Sequence, residues 1–183
     1  MSAERPLLVL VTGLPCAGKS TLARQLAAGL ELPYHAKDEL KERLFEALGS
    51  GDRAWSRRLS AAAFELLFHL AGVELAAGRS AVVEGNFTPA REGARWAELV
   101  GRHRARAAQV LVTAPGPELL RRFRARAGTR HPGHLDQELL AELEPVLLSA
   151  QVEPLELAGP LLRVDTSGAV DVPALLRRLV GAP

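Results

Sequence analysis

Gly13-Leu14-Pro15-Cys16-Ala17-Gly18-Lys19-Ser20 reads G-x-x-x-x-G-K-S, with Thr21 directly after it. That spacing describes a loop for cradling phosphates. Upstream, Leu7-Leu8-Val9-Leu10-Val11 is a short apolar run that suits a buried parallel strand. Downstream, Thr21-Leu22-Ala23-Arg24-Gln25-Leu26-Ala27-Ala28 places apolar residues at helical spacing. Strand, glycine loop and helix form the context the motif requires. Backbone N–H groups at the helix start point at a polyphosphate, and the helix dipole favours its negative charge. Gly13 and Gly18 let the chain turn and approach the phosphates without a Cβ in the way. The Lys19 ammonium is placed to bridge β- and γ-phosphates, and the Ser20 hydroxyl to ligate Mg²⁺. Cys16 has two readings: the filler of a variable loop position, or a thiol whose pKa is lowered by the helix terminus.

The chain has 183 residues, enough for one domain with a sizeable core. Its 48% hydrophobic and 24% charged content are globular values. The formal net charge of +2 is too mild for a protein that coats nucleic acid. Aromatic residues at 4% leave few stacking platforms for single strands. One cysteine excludes an intramolecular disulfide and a four-cysteine zinc site. The start Met1-Ser2-Ala3-Glu4-Arg5-Pro6 lacks the basic and apolar regions of a signal peptide. No apolar run reads as long enough to span a bilayer. A cytoplasmic protein without a membrane partner is the expectation, as monomer or homodimer.

Along the chain, strands alternate with helices. Strands are expected at about 7–12, 34–36, 81–84, 109–113 and 161–165. Helices are expected at about 19–30, 38–48, 52–77, 88–103, 117–127, 135–150 and from 171 onward. Gly29 and Pro33 punctuate the end of the first helix. Thr88-Pro89 reads as an N-cap followed by proline at the first helical position. Such alternation means a parallel sheet with helices on both faces. No linker divides the chain, so residues 1–183 read as a single domain. Arg121, Arg122, Arg124, Arg126 and Arg130 straddle a helix end around Gly128, marking about 117–135 as a lid.

Ligands in such sheets bind at the carboxyl ends of the strands. Asp38 follows the second strand, in Lys37-Asp38-Glu39-Leu40-Lys41. It suits either a base for an attacking hydroxyl or an acid favoured by a helix start. Glu84 ends an apolar strand in Val82-Val83-Glu84-Gly85-Asn86 and is placed to hold Mg²⁺, directly or through water. Asn86 suits a phosphate or substrate contact, or the turn itself. Arginines on a closing segment neutralise a transferring phosphoryl group. Arg126 and Arg130, which flank Gly128, are the favoured candidates. His131 and His134 suit a turn or lid better than a metal site, since no further ligand lies near them in sequence.

On these residues the chain resembles the P-loop kinases that phosphorylate hydroxyl groups: the polynucleotide 5′-kinase domain, chloramphenicol phosphotransferase, gluconate kinase and the zeta toxins. The resemblance rests on Gly13–Thr21, on Lys37–Lys41, on Val82–Phe87 with Arg91 beyond, and on the lid arginines. It implies a three-layer α/β sandwich of the P-loop NTPase type, whose five-stranded parallel sheet is ordered 2-3-1-4-5. It implies ATP and Mg²⁺. It implies Asp38 as general base, with Lys19 and Arg126 catalytic. Gly13, Leu14, Pro15, Cys16, Ala17, Gly18, Lys19, Ser20, Thr21, Arg122 and Arg130 would bind nucleotide. Lys41, Asn86 and Arg91 would bind acceptor, and Ser20 and Glu84 the metal. Lys41 stands where these kinases carry arginine, which keeps the charge without the bidentate fork. The expectation is an ATP-dependent phosphotransferase acting on a small-molecule hydroxyl. The acceptor would lie between the sheet and the helices bearing Phe45, Trp55, Phe64 and Phe68. At least two of these aromatics are expected in the core, and Trp55 is the candidate to line a pocket. The alternatives are a polynucleotide or nucleoside 5′-hydroxyl kinase and a nucleotide-dependent switch or ATPase module.

Overall fold

A computed structural model describes residues 5–181. The signal-peptide reading of Met1–Glu4, and the last two residues of the single-domain span, lie outside the described residues. The elements are β1 (Leu7–Gly13), α1 (Lys19–Leu30), β2 (Tyr34–Ala36), α2 (Lys37–Leu48), α3 (Arg53–Ala76) and β3 (Ala81–Glu84). A π-helical turn (Pro89–Gly93), α4 (Ala94–Arg102), β4 (Arg106–Thr113), α5 (Gly116–Arg126) and a 3₁₀ turn (Pro132–His134) follow. The chain closes with α6 (Asp136–Ser149), β5 (Leu161–Asp165) and α7 (Val172–Val180). All five strands are parallel, in the order β2-β3-β1-β4-β5.

Period-two alternation divides the core into two layers. Val9 and Val11 face a cluster containing Leu22, Leu26, Phe123, Leu147 and Leu179, from the helices on one side. Leu8 and Leu10 face the opposite cluster, with Leu67, Phe68, Ala71 and Trp96 of α3 and α4. Phe68 and Trp96 pack with ring centroids 4.3 Å apart.

Four local expectations are corrected. Gly29 lies inside α1; a Cβ there would come within 2.5 Å of the Leu176 side chain, so it admits α7 rather than stopping α1. The stop is Glu31, in left-handed conformation, with its N–H returning to Ala27 and Ala28. Thr88 does not cap through its side chain. Its N–H and hydroxyl both donate to Glu92 Oε2, at 2.8 and 3.2 Å, and the first turn is π-helical. β4 begins at Arg106, earlier than expected, because Leu7, Leu8 and Val9 pair with Arg106, Ala107 and Ala108. Finally, α3 is long and apolar enough by length and composition to cross a membrane, with mean hydropathy 1.5 over its best window. Seven of its side chains are buried against the core, and Asp52 caps it by accepting the Trp55 N–H.

Candidate active site

β1 and its neighbours deliver the site. Gly13 ends β1, where a Cβ would meet the Val112 carbonyl oxygen at 2.2 Å, so only glycine fits that approach. Cys16 and Gly18 then take positive φ, +65° and +86°, and turn the loop into α1. The Lys19 ammonium folds back and donates to the Leu14 carbonyl at 2.9 Å. Burial pushes this ammonium's pKa down, while Glu84 and Asp38 oppose the shift.

Glu84 ends β3 almost wholly buried. Its Oε2 accepts from Ser20 Oγ at 3.1 Å and from the Tyr34 hydroxyl at 3.3 Å. Burial raises its carboxyl pKa against the pull of Lys19. Ser20 Oγ and Glu84 Oε2 are adjacent hard-oxygen donors. Such a pair suits Mg²⁺, which takes one or two protein oxygens and completes its shell with phosphates and water. Among the described residues no group of three or more His, Cys, Asp or Glu side chains forms a further metal site. The Thr12 hydroxyl accepts the Phe87 N–H at 3.0 Å and donates to the Phe87 carbonyl, fixing the turn that carries Asn86.

Asp38 opens α2 just beyond β2. Lys37 Nζ donates to its Oδ1 at 3.0 Å, and Arg130 donates to its Oδ2 at 2.7 Å. Burial pushes its carboxyl up, but Lys37 and Arg130 together outweigh burial and hold it well below the usual carboxylate range. Arg130 also lies 3.5 Å from Asp136 and contacts His134 Nε2. His134 Nε2 sits 2.8 Å from Glu42 Oε1 and 3.0 Å from the Arg130 guanidinium. Burial and the neighbouring Arg130 hold the imidazole down at about 3, against the pull of Asp38. Lys41 is buried; its Nζ donates to Ser56 Oγ at 2.9 Å, and Ser56 donates to the Gly133 carbonyl at 2.8 Å.

A cavity of about 460 Å³ joins the phosphate loop from Pro15 to Thr21 with Asp38, Lys41, Glu84, Asn86, Arg122, Arg126 and Arg130. Gly13, Leu14, Ala17 and Arg91 do not line it. Ala17 is in the core, and Arg91 is exposed on the π-helical turn. Arg122 is tied to the Thr166 carbonyl at 2.8 Å, to Thr166 Oγ1 and to Glu118. Arg126 lies 3.5 Å from Asp136 Oδ2. Of the two readings of Cys16 the inert one is favoured, because burial pushes its thiol pKa up. Phe45 and Phe68 are core residues, and Trp55 does not line this cavity but donates to the Gly49 carbonyl at 2.9 Å. Lys37, Tyr34, Ser56 and Thr166 were missed. Only Lys37, at a strand end beside Asp38, carried a sequence signal.

A phosphate loop after β1, an acid at the end of β3 and a parallel sheet ordered 2-3-1-4-5 define the P-loop kinase fold. The chain belongs to the AAA domain family AAA_33, whose profile matches residues 8–147. It is 36% identical to a candidate kinase from Chloroflexus aurantiacus, with a TM-score of 0.88 over 98% of this chain and 100% of that one. Kti12 from Chaetomium thermophilum, solved with ADP-AlF3, is 19% identical, with a TM-score of 0.66 over 96% and 98% of the two chains. The APS kinase CysC of Mycobacterium tuberculosis, solved with AMPPNP and APS, is 20% identical, with a TM-score of 0.60 over 97% and 96%. The last two are similar in fold alone. No curated protein matches the chain.

Proposed function

We propose that this protein is an ATP-dependent phosphotransferase that moves the γ-phosphate to a hydroxyl of a small molecule. The observation that carries the reading is the cavity itself: the Asp38 carboxylate opens into the same space as the phosphate loop. The name of the Chloroflexus relative and the kinase neighbour of the same fold support it. In this reading Lys19 neutralises the β- and γ-phosphates and Arg126 the transferring group, with Arg122 and Arg130 flanking the nucleotide. Ser20 and Glu84 would hold Mg²⁺, which when bound screens the phosphate charge. Lys41 and Asn86 bind and orient the acceptor, and the segment 117–135 closes over it; Arg91, outside the cavity, takes no part. As the acceptor oxygen attacks the γ-phosphorus, Asp38 takes the hydroxyl proton, and the bond to the ADP oxygen breaks.

A second reading is a nucleotide-dependent switch. It is favoured by the ion pairs of Asp38 with Lys37 and Arg130, which make this carboxylate a weak base until Arg130 moves away. Acceptor-dependent ADP release, screened over hydroxylated metabolites and antibiotics, separates the two. Asp38→Asn is expected to lower the acceptor-dependent rate roughly 10²–10⁴-fold, the usual weight of general-base catalysis. ATP affinity, measured by calorimetry on the same variant, reports whether the site is intact. An acceptor-dependent rate untouched by the substitution overturns the base assignment. No acceptor at all, with nucleotide-dependent binding of a partner, favours the switch.

A further inference from the structure

Asp136 is a buried carboxylate that the reaction proposed above does not use. It is 9% exposed and opens α6 on the wall of the main cavity. A helix start favours an acid, but Glu138 meets that need from the same turn while facing solvent. A carboxylate inside a cavity built for phosphates is costly twice over. It gives up water, and it repels the anion that the loop gathers. Leu135, directly before it, takes the left-handed conformation at φ +55°, which a bulky residue adopts only under strain. Something in the cavity must offset this placement.

The neighbours of Asp136 are two lid arginines. Its Oδ2 faces Arg126 Nε and its Oδ1 faces an Nη of Arg130, each at 3.5 Å. Asp136 Oδ2 and Arg126 Nε are both buried without a hydrogen-bond partner, although they face one another. Among the described residues the Arg126 guanidinium makes no hydrogen bond, and its Cζ rests 5.3 Å from the centroid of the Phe123 ring. Arg130 differs, because its other Nη is taken by Asp38. A guanidinium is planar and carries donors on more than one edge. With Nε turned to Asp136, both Nη groups of Arg126 are left for a ligand in the cavity, and that end can grip a pair of phosphoryl oxygens. Arg126 is the last residue of α5 and has little support of its own. Asp136 stands on α6, whose Leu148 backbone packs directly on Gly116 of α5 and whose Leu147 is in the core.

We propose that Asp136 is a positioning residue for phosphoryl transfer. Its carboxylate aligns Arg126 through Nε, so that the two Nη groups meet the phosphoryl group as it passes between oxygens. The pair closes from 3.5 Å to hydrogen-bond distance when nucleotide is bound. The inference rests on the kinase reading of the same cavity, in which Arg126 neutralises the transferring group.

The test is a double-mutant cycle on Asp136→Asn and Arg126→Ala, read by binding rather than turnover. ADP–Mg²⁺ is titrated by calorimetry with and without aluminium fluoride, which stands in for the phosphoryl group in flight. Asp136→Asn keeps the size of the side chain and removes its charge. It is expected to weaken the aluminium fluoride complex roughly 10- to 100-fold, the weight of a misplaced catalytic group. The ADP complex should change by less than about twofold, as should the aluminium fluoride complex when Asp136→Asn is added to Arg126→Ala. Equal losses in the two backgrounds overturn the inference, because Asp136 then acts through something other than Arg126. So does an equal loss of ADP affinity, the mark of a structural role. So does an ADP complex of the unsubstituted protein that aluminium fluoride fails to tighten. Arg126→Lys covers an Asp136 variant that does not fold. An ammonium is a single point charge and cannot serve Asp136 and the phosphoryl group at once. Its aluminium fluoride complex should be weakened about as much as that of Arg126→Ala, and full affinity overturns the inference. Acceptor-dependent ADP release is measured alongside. Its absence, with the cycle as expected, counts against the acceptor and supports alignment of Arg126 for transfer to water.

Discussion

Arg130→Gln is expected to change the pH response of a residue it does not resemble. Arg130 lies 3.0 Å from His134 Nε2, and its charge is the main electrostatic reason the imidazole refuses a proton above about 3. Asp38 pulls the other way, while Lys41 and Lys37 add to the lowering. The unfolded histidine protonates near 6.5, so between pH 6.5 and 3 the unfolded chain binds a proton that the folded chain rejects. Stability therefore falls as pH drops through that window, by at most about 1.4 kcal/mol per pH unit from this residue. The His134 side chain is 5% exposed, so solvent screening removes little of this. Without the guanidinium, burial, Lys41 and Lys37 still hold the imidazole down, but the largest opposing cation is gone and Asp38 is freed of its partner. The His134 pKa is then expected to rise by roughly 1–2 pH units. Urea unfolding at pH 7.0 and pH 5.0 measures the consequence. The loss of stability on acidification should be smaller in the variant, and the His134 ring resonances should titrate at higher pH. Identical pH slopes in the two proteins, with His134 still silent above pH 4, would refute the electrostatic account of this cluster.

Two further outcomes follow from local geometry. Gly116→Ala builds a Cβ 2.3 Å from the Leu148 carbonyl oxygen, a backbone atom of α6, so α5 and α6 must separate. A loss of roughly 1–3 kcal/mol in urea unfolding is expected, and an unchanged midpoint would show that α6 yields freely. Cys16, with its thiol pKa raised by burial, should react with iodoacetamide at pH 7.5 more slowly than free cysteine does. A faster reaction would restore the activated-thiol reading.

Much of the fold was legible because its signals are local. Leu161–Asp165 and Tyr34–Ala36 coincide with the strands expected, and Asp171 caps α7 by accepting the Ala174 N–H at 2.9 Å. Periodicity says nothing about strand order, and the order 2-3-1-4-5 came through the resemblance carried by the motifs. The misses have tertiary causes. Arg106-Ala107-Ala108 has little intrinsic strand preference and is extended because β1 pairs with it. Gly29 looks like a helix stop until α7 is seen leaning on it. Thr88 has the residue type of a cap, but Glu92 supplies the acceptor.

The site divides along the same line. Residues that act through their position at a strand end, such as Ser20, Asp38 and Glu84, are readable from the chain. Residues that act through partners are not: Arg130 lies 92 positions from Asp38, Thr166 lies 44 from Arg122, and Ser56 lies 77 from Gly133. Asp38 shows what this separation hides. From spacing alone its carboxylate suits a base and a helix-start acid equally. An acid serving only the helix dipole needs no cations of its own, because the backbone N–H groups supply the positive potential. Asp38 instead holds Lys37 at one oxygen and Arg130 at the other, on the wall of the cavity shared with the phosphate loop. Lys37 is almost entirely buried and belongs to the same helix, so it stays with Asp38 through any lid movement. Arg130 lies beyond Gly128, which takes φ +89° just past the end of α5, on the segment proposed above to close over the site. Polyphosphate is a more concentrated anion than one carboxylate and draws guanidinium groups strongly. The contact that weakens Asp38 as a base is therefore the one a bound nucleotide is best placed to compete for.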